Sequence, residues 1–237
     1  MVKFIVLFTG RAGSHFLADT LGNHENIICR NEPSIILLDR YFVRKTWPEE
    51  VLATGFTYQF QGIDDAPSKI GGAEKLREYI QTEQVKVIHL HRENIVKHTL
   101  SGVVGNALKE KIGKYHIYDT KDIVTPLYID ITKFRWDMVT RLEAERSLFV
   151  FLNTISVPAL HYSYEDLCMR HTDKVITHIQ SFLEVPHINV SDISSRQLKA
   201  TTDNMEDAII NFDEFKYEIS TFGKDTLTNK HIFDKYF

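Results

Sequence analysis

Apolar positions along the chain fall into two alternating kinds of run. Four short continuous runs, Phe4 to Phe8, Ile27 to Cys29, Val85 to Leu90 and Val157 to His161, read as strands buried on both faces. Between them, apolar residues recur at helical spacing over Ser14 to Leu21, Ser34 to Phe42, Ala73 to Gln81, Glu93 to Leu108, Thr132 to Leu152 and Thr172 to Leu183. This alternation predicts an α/β fold: a parallel sheet of four to five strands with helices on both faces. Two segments break the pattern. Lys45 to Gly72 carries Pro48, Gly55, Gly62, Pro67 and Gly71-Gly72, and Gly113 to Pro126 carries Tyr115, His116 and Tyr118. Excursions of this kind serve as binding loops or lids, and also as plain connections. From Pro186 onward the chain is polar and helical in places, and is expected to wrap over the sheet edge.

Composition narrows the class. At 237 residues the chain fits a single domain spanning 1–237 with one sizeable core. A net charge of -4 speaks against a general nucleic-acid binder, yet leaves room for a small anion held by a few local cations. Cys29 and Cys168 fit two free thiols in a reducing, cytoplasmic setting better than one disulfide. No run approaches the roughly 20 apolar residues of a membrane span. The N-terminal apolar run is short and is followed by Arg11, so it reads as a strand rather than a leader.

Charge placement points to anion chemistry. The first strand runs into Gly10-Arg11-Ala12-Gly13-Ser14-His15 and then a helix start. Exposed backbone N–H groups and the positive end of the helix dipole meet there, Gly10 and Gly13 let the backbone approach a ligand, and Arg11 adds a planar fork of donors. The GxxxxGK[ST] pattern of phosphotransferases is absent. A second cluster, His89-Leu90-His91-Arg92-Glu93-Asn94, places Arg92 between a strand end and another helix start, with Ser101 nine positions later. A strand-end arginine also serves as a plain ion-pair partner. The two clusters together point to a ligand with two separated phosphate groups. His89 and His91 share one strand face. A metal site there would need a third ligand, and no HExxH or CxxC pattern is present, so no metal is expected.

These blocks, in this order, resemble the sulfotransferases that use 3′-phosphoadenosine 5′-phosphosulfate (PAPS), most closely the bacterial carbohydrate group of trehalose and Nod-factor type. The family's first motif, roughly Pro-Arg-Ser-Gly-Ser-Thr after strand one, is matched by Gly10 to His15. Its second, an arginine at a strand end followed by a helix serine, is matched by Arg92 and Ser101. Its third is matched by Tyr162-Ser163-Tyr164-Glu165-Asp166-Leu167. The resemblance implies a P-loop-like sheet. It implies that Gly10, Arg11, Ala12, Gly13, Ser14, His15 and Phe16 hold the 5′-phosphosulfate, that Arg92 and Ser101 hold the 3′-phosphate, and that Tyr164 approaches the adenine. Glu32, after strand two, matches the family's base, with His15, His89 and His91 as rivals. Arg11 would stabilise the leaving group, adenosine 3′,5′-bisphosphate, without a metal. The acceptor would be a hydroxyl of a carbohydrate, glycolipid or small metabolite.

The chain also departs from the family. His15 stands where Thr or Ser is usual, and Gly10 replaces Pro. The glycine-rich C-terminal signature of the cytosolic enzymes is absent. In its place stands Arg196-Gln197-Leu198-Lys199, where Arg196 and Lys199 would close over the 3′-phosphate or form an ordinary basic turn. A nucleotide-dependent phosphotransferase and a non-catalytic nucleotide binder on the same fold are the alternatives.

Overall fold

A computed structural model describes residues 1–31, 48–60, 73–115, 117, 119–122, 126–195, 198 and 204–225. In chain order these residues form β1 (Val2–Phe8), α1 (Ser14–Gly22), β2 (Ile27–Arg30), β3 (Ala53–Gln59), α2 (Ala73–Thr82), β4 (Lys86–His91), α3 (Ile95–Ile112), α4 (Ile131–Leu152), β5 (Ala159–Ser163), α5 (Thr172–Phe182), α6 (Val190–Ile193) and α7 (Phe212–Asp225). The strands make one sheet of order β2-β3-β1-β4-β5, and every pairing is parallel. The predicted class, a P-loop-like parallel sheet with helices on both faces, is the observed one. The helix expected over Ser34 to Phe42 lies outside the described residues.

The described residues divide into two compact units. The first comprises Met1–Glu93 and Glu143–Ser195 and contains the whole sheet. Side chains alternate across it and both faces are covered, which is why strands such as β1 read as continuous apolar runs. Phe4, Val6, Phe8, Ile88 and Leu90 pack with Leu17 and Leu21 of α1 and with Val175, Ile176 and Ile179 of α5. On the other face Ile5, Leu7, Phe56 and Val87 pack with Leu76 and Ile80 of α2 and with Leu148, Phe151 and Leu152 of α4. The second unit comprises Asn94–Leu142 and Arg196–Phe237. Its core joins Val96, Leu100 and Val104 of α3, Phe134 and Met138 of α4, and Phe215 and Ile219 of α7. The chain passes between the units three times, once inside the unbroken helix α4.

One correction concerns the irregular segment. Residues 53–59, inside the expected loop Lys45 to Gly72, form an interior strand between β2 and β1. Its sequence Ala-Thr-Gly-Phe-Thr-Tyr-Gln has no aliphatic run, so pattern alone misses it. Gly55 is the reason the strand fits. A Cβ there would lie 2.4 Å from the Phe4 carbonyl oxygen and 2.5 Å from its ring.

The register fixes the site. Phe8 lies beside Gln59 in β3 and Leu90 in β4, so Gly10 and Arg92 leave neighbouring strands at nearly one level. In open parallel sheets this carboxyl edge, where the connections diverge, is where ligands bind.

Candidate functional site

The loop after β1 is built from left-handed backbone. Gly10 has φ +88°, Arg11 +57° and Gly13 +85°. Such a run turns successive N–H groups into an anion-binding concavity. Arg11 accepts a conformation that is costly for a side chain, by about 1 kcal/mol. Gly13 is the N-cap of α1 and supplies no side-chain cap, so the first-turn N–H donors face outward toward the loop. The concavity is tight: a Cβ on Gly13 would stand 3.0 Å from the Tyr164 ring and 3.3 Å from Cys168 Sγ, and one on Gly10 would stand 2.9 Å from Gln59 Nε2. Ala12 and Ser14 are buried, while His15 and Phe16 are half-buried. Burial lowers the pKa of His15; Asp19 opposes this and Arg11 adds to it.

Arg92 stands one residue beyond β4, with its side chain only 7% exposed. Its guanidinium lies 4.2 Å over the Tyr164 ring. One Nη donates to the carbonyl oxygen of Arg11 at 3.4 Å. Nε is 3.8 Å from a Glu165 oxygen, beyond hydrogen-bond reach, and is buried without a hydrogen-bond partner. Burial lowers the pKa of Arg92, and Tyr164, Glu165 and Cys168 push it back up. The other Glu165 oxygen accepts the N–H of Glu93 at 3.0 Å. Arg170 pairs with Glu93 at 2.6 Å and with Asp166 at 3.2 Å, and the Ser163 hydroxyl donates to Asp166 at 2.9 Å. The Tyr-Glu-Asp block is thus a braced turn pressed against the end of β4.

The structure therefore joins Arg11, Gly13, Arg92 and Tyr164 in one place, from three separate blocks of sequence. Ser101 lies on α3 in the second unit and is buried there. Glu32, Arg196 and Lys199 lie outside the described residues. Gln59 and Cys168 border the loop and had no signal of their own: one ends the strand that pattern missed, the other is a cysteine without a motif. The histidine pair gains a third member. His89 and His91 stack at 5.3 Å, and His89 Nδ1 meets Nδ1 of His161, on β5, at 3.2 Å. Among the described residues no group of three or more His, Cys, Asp or Glu is arranged to hold a metal ion. Burial, then His91 and His161, push His89 down to about 3. Burial likewise lowers His91, against Glu165 and Glu93. Beside them, Thr9 donates its hydroxyl hydrogen to Glu145. Both cysteines are free thiols, and no described helix is long and apolar enough to cross a membrane.

No family model and no curated protein matches the chain. Solved structures do. A sulfotransferase domain from the curacin biosynthetic pathway aligns with 88% of this chain and 82% of its own, at 13% identity and a TM-score of 0.52. A sulfotransferase from Alicyclobacillus acidocaldarius aligns over 94% and 91%, at 14% identity and a TM-score of 0.44. A mouse sulfotransferase complexed with PAP aligns over 81% and 61%, at 14% identity and a TM-score of 0.49. At such identities the likeness to the curacin domain is one of fold: the chain has the fold of a sulfotransferase domain.

Proposed function

We propose that the chain is a PAPS-dependent sulfotransferase acting on a hydroxyl group of a carbohydrate, glycolipid or small metabolite. One observation carries the reading: the guanidinium of Arg92 is buried, only loosely engaged by protein acceptors, and held against the loop that Arg11 and Gly13 shape. A buried cation with unspent donors is costly unless an anion completes it. The left-handed turn through Gly10, Arg11 and Gly13, directly ahead of the α1 N-terminus, supports an anion there as well. The sulfotransferase fold supports the same assignment.

In this reading the whole chain is one sulfotransferase-like domain. The backbone N–H groups of residues 10–16, with Arg11, hold the 5′ end of the donor, which supplies an activated sulfuryl group. Arg92 holds the 3′-phosphate with Ser101, aided by Arg196 and Lys199, and Tyr164 borders the adenine. Arg11 and the loop donors stabilise charge on the leaving phosphate as the acceptor oxygen attacks in line. Preorganised donors of this kind lower a barrier by about 3 kcal/mol each. Glu32 takes the proton of the acceptor hydroxyl, provided its surroundings raise its pKa toward the working pH.

A thermal-shift comparison tests the reading. Adenosine 3′,5′-bisphosphate at about 100 times its Kd should stabilise the protein by about 2.7 kcal/mol. Stabilisation by ATP with Mg²⁺ and none by the bisphosphate would overturn it in favour of a phosphotransferase. Glu32→Ala should keep nucleotide affinity and lose turnover; unchanged turnover removes Glu32 from the base role.

A further inference from the structure

We infer that Glu165 is a release element: its carboxylate, fixed beside Arg92 without hydrogen-bonding to it, weakens the hold on the spent nucleotide so that product can leave. The inference rests on the sulfotransferase reading above.

The geometry is unusual for a counter-ion. A carboxylate that merely neutralised Arg92 would meet it in a short, forked pair. Here the nearest approach is 3.8 Å, and no hydrogen bond joins Nε to it. Glu165 is oriented instead by backbone, through the N–H of Glu93 at 3.0 Å. Its side chain is 16% exposed, so solvent screens it weakly. Arg170, the neighbouring cation, is paired with Glu93 and Asp166 and also acts on Glu165 through space, so the charge of Glu165 is shared between two guanidinium groups. Because the backbone tether does not depend on Arg92, an arriving phosphate does not displace the carboxylate. The phosphate gains the open donors of Arg92 and meets a fixed negative charge beside them. Attraction and repulsion then act at the same point, and the balance sets how long a bisphosphate stays.

A purely structural Glu165, one that only steadies Arg92, predicts the opposite sign, which makes the experiment decisive. Glu165→Gln removes the charge, and its amide oxygen still accepts the Glu93 N–H. Titration calorimetry of the purified full chain with adenosine 3′,5′-bisphosphate should show binding roughly five- to tenfold tighter in the variant, the effect of one nearby charge in a partly screened site. Stopped-flow displacement should show slower release by a similar factor. Glu165→Asp, which keeps the charge, should stay within about twofold of the parent. Equal or weaker binding by a folded Glu165→Gln protein overturns the release role and leaves the sulfotransferase reading standing. Failure of both proteins to bind the bisphosphate overturns the two together.

Discussion

Arg92 shows how much a single position can carry once burial removes water from around it. Its ring partner, Tyr164, comes from 72 residues further on, and its carbonyl acceptor belongs to Arg11, 81 residues back. Truncation therefore removes charge, stacking and donors at once. Arg92→Ala should weaken bisphosphate binding about 100-fold, the size expected for two charge-assisted hydrogen bonds, and calorimetry checks it. Arg92→Lys should restore only part of the loss, because an ammonium neither forks nor stacks as a plane. Near-parental affinity in the alanine variant would remove Arg92 from the site. At this scale the arginines stood out in the sequence because each lies within three residues of a strand end, just ahead of a helix start. The positive φ of Arg11 was not legible there, since nothing in its side chain favours that conformation. Nor was Glu165 as a neighbour of Arg92: that contact depends on how the turn after β5 folds back onto the end of β4.

Among the elements, the strands with aliphatic runs were readable and β3 was not. β1 and β4 place apolar side chains into both cores, so their central positions carry the signal on both faces. β3 contributes Thr54, Gly55 and Thr57 to the interior, and these residues are equally at home in loops. Its place in the sheet is dictated by fit, with the bare Gly55 backbone lying against Phe4. Gly55→Ala should consequently destabilise the fold by about 3 kcal/mol, the upper part of the range for overpacking, because the obstruction is backbone as well as ring. Urea unfolding of the variant measures this. A loss under 0.5 kcal/mol would show that β1 and β3 can separate freely and that the glycine is incidental. Element boundaries moved by one or two residues in places. β5 ends at Ser163, not His161, because its pairing with β4 continues as far as His91.

For the molecule as a whole, the buried histidine cluster is one source of acid sensitivity. His89 is 5% exposed and has a folded-state pKa of about 3, against about 6.5 when unfolded. The unfolded chain therefore binds more protons than the folded one between those values, and stability must fall as pH drops below about 6.5. The slope from this one group is limited to about 1.4 kcal/mol per pH unit. Burial lowers His91 in the same direction, while Glu165 and Glu93 oppose it. Unfolding at pH 7, 6 and 5 should show the difference between the parent and His89→Asn shrinking steadily as pH falls. A constant difference would mean that the ring takes up protons in place. Although β3 was missed, the α/β class was legible from the alternation of the other four strands with helices. The division into two units was not, because α4 runs through both without a break in its pattern. The strand order has a consequence for synthesis. β1 is made first, yet its neighbours are β3 and β4, the second of which begins at Lys86. β1 therefore precedes both of its partners: one of its edges stays open until β3 ends at Gln59, and the other until β4 ends at His91.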